Sequence, residues 1–385
     1  MIKCETIYLD HAAATPMDAR VLKVMQPYFI ENFYNPSSPY LPAVSVRRDY
    51  ENAKHVIAQQ IGGKVGEIII TAGATESINL AFFGVSGHIV TSNVEHDSVL
   101  ANAKNHENTI VLADSSGLVT AEKIKKAIKS GTQLVSVALA NNELGTIQPI
   151  RDIAQVIKAE RYSRLTRGDK TPINLHCDAS QGACQLDVNV ARLGVDMLTL
   201  NAGKIYGPKQ VGLLWVASHV HLEPQIIGGG QENGLRSGTE NVAGTIGFAR
   251  ALELVSEHRK YESDRLTKLR DSLQKTLTEA LKNTVVSGHK KHRLAGHLHI
   301  SFPNLDGERL VFLLEKRGVL VATGSACAAN KGKRSHVLTA IALKPEVADG
   351  SIRISLGHLS TFENIKTAGE ILIEEIKNEY KRVGL

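Results

Sequence analysis

Ile173-Asn174-Leu175-His176-Cys177-Asp178-Ala179-Ser180-Gln181 decides the fold: a short β-rich run that closes on a carboxylate. Around it stand further runs of the same kind, namely Ile68-Ile69-Ile70, His88-Ile89-Val90, Ile110-Val111-Leu112, Leu134-Val135-Ser136-Val137, Met197-Leu198-Thr199-Leu200 and Val211-Gly212-Leu213-Leu214-Trp215. Helix-like stretches such as 121–129 and 150–159 lie between most of them. This alternation predicts an α/β fold built on a mainly parallel sheet of seven strands wrapped by helices. Ligands of such sheets sit at the C-terminal mouths of the strands, so the residues closing each run are the candidates for chemistry.

After Gly238 the pattern changes. A long helical stretch from about Asn241 to Asn283 leads into the runs Leu298-His299-Ile300-Ser301, Val319-Leu320-Val321 and Ile352-Arg353-Ile354, alternating with helices. The expected division is a large domain over residues 15–255 and a smaller α/β domain made of 1–14 and 256–385. A chain of 385 residues suits that division at roughly 150 residues per domain, and each part is large enough to bury a core without disulfides. Arg161, Arg164, Arg167 and Lys170 lie close together in a stretch that reads as a basic surface loop.

Composition narrows the function. Hydrophobic residues at 43% and charged residues at 22% are those of an ordinary folded protein. A net charge of +6 over so long a chain is too thin for a dedicated nucleic-acid binder, and 5% aromatics is too few for a stacking platform. The N-terminus has no apolar signal core, and no stretch approaches the roughly 18 apolar residues of a membrane span, which points to the cytoplasm. The cysteines are Cys4, Cys177, Cys184 and Cys327, with neither a CxxC pair nor a histidine spacing suited to zinc, so no disulfide framework and no metal site is expected.

Three strand-end features carry the chemistry. Gly73-Ala74-Thr75-Glu76 opens a helix after the run ending at Thr71, offering free N–H groups and a hydroxyl at a positive dipole end, a seat for phosphate. Asp178 stands at a strand mouth, where a carboxylate can pair with a protonated ring nitrogen. Lys204, in Asn201-Ala202-Gly203-Lys204-Ile205-Tyr206-Gly207, sits between a glycine and an apolar residue, as suits a desolvated amine. Singly, each has an ordinary reading as a helix cap or a surface lysine. Together they are the elements needed to hold pyridoxal phosphate through a Schiff base. His96 follows a fourth strand and could stack on the ring, and Gln181 could donate to its phenolic oxygen.

Thr323-Gly324-Ser325-Ala326-Cys327-Ala328-Ala329-Asn330-Lys331-Gly332-Lys333-Arg334 is a run of small residues with one thiol followed by three cations. Its composition predicts a mobile loop. Neighbouring cations lower a thiol pKa and raise its reactive fraction, which makes Cys327 the candidate nucleophile. Cys177 and Cys184, in apolar surroundings, read as buried structural cysteines.

As a set these residues resemble the cysteine desulfurases, pyridoxal-phosphate enzymes of the class V aminotransferase superfamily. The likeness begins at Tyr8-Leu9-Asp10-His11-Ala12-Ala13-Ala14-Thr15-Pro16 and runs through Asn35-Pro36-Ser37-Ser38, Glu95-His96, Asn141-Asn142-Glu143-Leu144-Gly145 and Lys204-Ile205-Tyr206-Gly207-Pro208-Lys209. It continues with Gly228-Gly229-Gly230-Gln231-Glu232, Arg236-Ser237-Gly238-Thr239-Glu240, Gly324-Ser325-Ala326-Cys327 and Ile352-Arg353-Ile354-Ser355-Leu356-Gly357.

The resemblance implies a fold-type I homodimer with active sites at the subunit interface. It implies that Ala74, Thr75 and the Asn201 to Gly203 turn hold the phosphate, with Thr239 reaching across from the partner chain. Asn142 and Gln181 would touch the cofactor, Asp178 its pyridine nitrogen and His96 its ring face, while Arg353, with Asn142, would hold the substrate carboxylate. Lys204 would carry the aldehyde and move the Cα proton of L-cysteine, and Cys327 would take the sulfur as a persulfide, leaving alanine. The longer stretch after Cys327 is similar to the subgroup with a mobile catalytic loop, which supplies sulfur-acceptor proteins of iron–sulfur assembly and tRNA thiolation.

Several positions depart from the family pattern. Gly203 replaces a His, Gln or Arg, Asn201 replaces a Ser, Gln231 stands where His is common, and His358 where Arg often follows the glycine. Pro39-Tyr40-Leu41-Pro42-Ala43 replaces a His-containing continuation, and the stretch from Arg161 to Lys170 reads as an insertion. The competing readings are a selenocysteine lyase, a class V transaminase and a non-enzymatic binding subunit. Cys327 argues against a transaminase, which needs no thiol, and retention of Lys204, Asp178, Cys327 and Arg353 argues against a binding subunit.

Overall fold

A computed structural model describes residues 6–324 and 334–385, so Cys4 and Cys327 lie outside the described residues. In chain order its strands are β1 (Ile7–Tyr8), β2 (Ile68–Thr71), β3 (His88–Ser92), β4 (Asn108–Val111), β5 (Thr132–Ala138), β6 (Asn174–Asp178), β7 (Met197–Asn201), β8 (Gly212–Val216), β9 (Val285–Ser287), β10 (His297–Ser301), β11 (Val319–Leu320) and β12 (Ser351–Ser355).

Strands β2 to β8 read as near-continuous apolar runs because the sheet they form is covered on both faces. That sheet has seven strands in the order β2-β8-β7-β6-β5-β3-β4, the α/β architecture expected from the alternation of runs. β8 runs antiparallel to both neighbours, and the other pairs are parallel. β4 begins at Asn108, before the expected Ile110, and Leu112 lies beyond its end, exposed. The later strands form an antiparallel sheet, β12-β10-β9, while β11 pairs in parallel with β1 and so ties the N-terminus to the C-terminal half.

Two apolar clusters form among the described residues. The helix Val242–Ala280 joins them, placing Phe248, Leu252 and Val255 in the cluster around the large sheet and Leu266, Leu269, Leu273 and Leu277 in the other. Val337, Leu338 and Ile341 return to the first cluster.

The basic stretch is not a solvated loop. Arg161 and Arg164 lie in the helix Ile150–Thr166, and Arg164 is only 2% exposed. Its guanidinium donates to the carbonyls of Thr132 at 2.9 Å, Lys129 at 3.0 Å and Thr171 at 3.1 Å, and pairs with Glu160 at 2.9 Å. Arg161 pairs with Asp196 and donates to the carbonyl of Ile173. Charge counting misses this because a planar fork of five donors can be buried where strand-end carbonyls need partners. Among the described residues no helix is long and apolar enough to cross a membrane.

Candidate functional site

Parallel strands release their chain at one edge of the sheet, and the loops after β2, β3, β5, β6 and β7 meet there around a cavity of about 320 Å³. Of the residues singled out in the sequence, Ala74, Thr75, His96, Asn142, Asp178, Gln181, Asn201, Lys204 and Arg353 line it. Gly203 does not: it is buried behind Asn201, whose Oδ1 accepts its N–H at 3.0 Å. Thr239 is exposed and outside this cavity, and Cys327 lies outside the described residues.

The helix Ala74–Phe82 opens at Gly73, whose φ of 143° is reserved for glycine, and no side chain caps it. Its first N–H groups have no intrahelical partner and meet the cavity that Ala74 and Thr75 line. Gly212 on β8 permits this turn, since a Cβ there would stand 2.6 Å from Gly73 Cα. His96 caps the next helix, its Nδ1 accepting the N–H of Ser98 at 3.1 Å, and still reaches the cavity.

Asp178 accepts the N–H of Ser180 at 3.0 Å. Behind it His176 is fully buried between the hydroxyls of Ser136 at 2.8 Å and Thr199 at 2.9 Å, and burial pushes its ring down to about 4. Glu95 is also buried; loss of hydration pushes its carboxyl up to about 8, although Ser92 Oγ and the Ala138 N–H donate to it. Lys204 Nζ donates to the carbonyls of Ala12 and Ala13, each at 2.7 Å, which brings the N-terminal segment over the cavity. Arg353 Nη2 pairs with Asp10 and Nη1 donates to the Asn142 carbonyl.

Two buried polar atoms at this cavity have no hydrogen-bond partner among the described residues: Ser180 Oγ and Arg353 Nε. Asp10 and Ser180 are site residues to which the sequence assigned no role. Ser180 had a signal in its place two positions beyond Asp178, whereas the pairing of Asp10 with Arg353 spans 343 positions and left none. Cys177 and Cys184 are unpaired thiols; burial pushes Cys184 up to about 12 and Cys177 upward, which suits inert structural thiols.

A model of the aminotransferase class-V family matches residues 7–367. The chain belongs to the aminotransferase class-V family. Within that family it is similar to cysteine desulfurase IscS 1 of Archaeoglobus fulgidus, 39% identical over 377 residues that cover 95% of each chain. The class-V fold is equally plain in solved structures. A NifS-like protein superposes with a TM-score of 0.88 at 32% identity, covering 97% of this chain and 100% of that one. A structure of SspA in complex with cysteine superposes with a TM-score of 0.77 at 34% identity, covering 91% and 99%.

Class-V enzymes of this kind depend on pyridoxal phosphate. The residues present fit that group: an uncapped helix N-terminus for an anion, an amine at Lys204, a carboxylate at Asp178, and an unmatched hydroxyl at Ser180. The departures from the family pattern are accommodated. A Cβ at Gly203 would meet nothing closer than 3.4 Å, Gln231 Oε1 accepts the Gly238 N–H at 3.0 Å, and the His358 ring stacks on Tyr206 with centroids 3.7 Å apart.

Proposed function

We propose that this class-V chain is a cysteine desulfurase that converts L-cysteine to L-alanine and passes the sulfur to Cys327. The observation that carries the reading is the convergence on one cavity of Lys204, Asp178 and an Arg353 fork with one nitrogen unmatched. When bound, pyridoxal phosphate supplies the electron sink for charge left on the substrate Cα. Asp178 would hold a proton at the pyridine nitrogen, and Thr75 with the first N–H groups of its helix would bind the phosphate, joined by Asn201. His96 covers the ring face, and Asn142 and Gln181 orient the ring.

Arg353 engages the substrate carboxylate, with Asn142 beside it. The Lys204 amine takes the Cα proton and delivers a proton to the carbon that loses sulfur. The Cys327 thiolate attacks the substrate sulfur: a sulfur–sulfur bond forms, the carbon–sulfur bond breaks, its electron pair stays on carbon, and one proton to that carbon and a second returned to Cα complete alanine.

The same reading extends to a homodimer in which Thr239 reaches the partner's phosphate site. Phe29, Ile30, Phe33, Tyr40 and Leu41 support it, since one short segment leaves all of them exposed, and large apolar patches on soluble proteins mark association surfaces. It also extends to the mobile-loop subgroup, to a cytoplasmic setting consistent with unpaired Cys177 and Cys184, and to a sulfur-acceptor protein of iron–sulfur assembly or tRNA thiolation.

The test is alanine formation from L-cysteine, with pyridoxal phosphate and a thiol reductant, in the wild type, Lys204→Ala and Cys327→Ala. Turnover in the wild type and its loss in both variants is the expected result. A folded, cofactor-loaded wild type that forms no alanine overturns the reading.

A further inference from the structure

Glu143 follows Asn142 in the turn after β5 and is 1% exposed. Its Oε2 accepts the hydroxyl of Ser335 at 2.6 Å, while Oε1 has no partner among the described residues. Gly324 and Ser335 flank residues 325–334, the stretch in which the sequence places Cys327. Gly324 also lies at this carboxylate, close enough that a Cβ on it would stand 3.2 Å from Glu143 Oε2. One buried side chain therefore bonds to the chain after the thiol-bearing stretch and stands beside the chain before it.

The next residue repeats the arrangement. His336 Nε2 donates to the carbonyl of Glu95 at 2.9 Å, in the turn that carries His96. Val337 and Leu338 then enter the core of the large sheet. The two turns are tied together in their turn, since Asn141 Nδ2 donates to the Val94 carbonyl at 2.8 Å.

A buried carboxylate with one oxygen unmatched costs stability, and an apolar contact would hold two segments together as well. What a hydrogen bond adds is direction: it sets where Ser335 sits relative to Asn142, whose carbonyl also holds Arg353.

We propose that Glu143 is a positioning residue: by bonding Ser335 to the turn that carries Asn142, it sets where the chain next to the Cys327 stretch stands relative to the cavity. The catalytic part of this inference rests on the desulfurase reading. The part concerning the anchor does not.

The full cofactor-loaded chain is compared with Glu143→Ala and Glu143→Gln, the latter keeping an acceptor oxygen for Ser335. The first readout is the rate of trypsin cleavage after Lys331, Lys333 and Arg334, which needs no activity. The second is alanine formation as a function of L-cysteine concentration, with thermal midpoints alongside. Glu143→Ala is expected to raise cleavage about tenfold through loss of the anchor. Its maximal alanine rate falls about tenfold while half-saturation moves by less than about twofold, because substrate contacts stay and only the sulfur transfer is misaligned. Glu143→Gln recovers most of both.

Unchanged cleavage and turnover in Glu143→Ala overturns the proposal. Equal losses in both variants, matched by equal falls in thermal midpoint, also overturn it by reducing Glu143 to a general stabiliser. A wild type that forms no alanine removes the desulfurase reading instead, and the cleavage comparison then decides the anchor by itself.

Discussion

Asp10 Oδ1 lies 2.6 Å from Arg353 Nη2, an ion pair closed across 343 positions of sequence. With Nη1 on the Asn142 carbonyl, the guanidinium is held from two sides, and Nε has no partner among the described residues. Asp10 thus orients the arginine proposed to receive the substrate carboxylate. Asp10→Asn is expected to raise the half-saturating L-cysteine concentration about tenfold with kcat changed less than about threefold, the pattern of lost ground-state binding. Steady-state kinetics checks this, and a collapse of kcat at constant half-saturation would contradict it.

Asp178 stands at the mouth of β6 with one oxygen on the Ser180 N–H. Asp178→Asn keeps that acceptor but removes the charge proposed to hold a proton at the pyridine nitrogen. Cofactor absorbance should persist while alanine formation falls about a hundredfold, the scale of losing one preorganised electrostatic contact. A variant that binds cofactor and turns over at the wild-type rate would exclude Asp178 from that role.

Burial holds His11, His176 and His299 down at about 4 and His297 at about 3. Each is neutral in the fold, whereas the unfolded chain takes up a proton near the ordinary imidazole value of about 6.5. The unfolded state therefore binds more protons below that pH. Their stability contribution is intact above about pH 6.5 and is lost as the pH falls towards 4, by up to about 1.4 kcal/mol per pH unit for each histidine. Urea midpoints measured from pH 7 downward should fall steeply over about two units. A flat profile would mean that these rings take up protons without unfolding.

Arg164 satisfies carbonyls of Lys129, Thr132 and Thr171 from inside the edge of the sheet. Arg164→Ala leaves those acceptors buried and is expected to lower the unfolding free energy by about 3 kcal/mol. Specific activity of the folded fraction should be unchanged, because the residue is absent from the cavity lining. Denaturant titration checks the first statement and an active-site-normalised rate the second.

What the sequence disclosed and what it withheld divide along physical lines. The strands of the large sheet were legible because a sheet buried on both faces needs unbroken apolar runs, and Asp178 and Lys204 because they end such runs. Arg164 was misread because a cluster of cations looks the same whether water or carbonyl oxygens solvate it. β11 was recognisable as a strand, but its pairing with β1 was not, since partners so distant leave no local pattern. Asp10 and the Glu143–Ser335 contact were hidden for the same reason: each joins residues that only the closed fold brings together.

The central claim is that sulfur passes from L-cysteine to Cys327 in a reaction carried by Lys204. Intact-protein mass measurement after a brief exposure of the cofactor-loaded chain to L-cysteine, without reductant, tests it most directly. The account predicts that the wild type gains the mass of one sulfur atom, mapped to the Cys327 peptide, and that Lys204→Ala and Cys327→Ala gain none. An equal gain in Cys327→Ala, or no gain in a wild type that forms alanine, would contradict it.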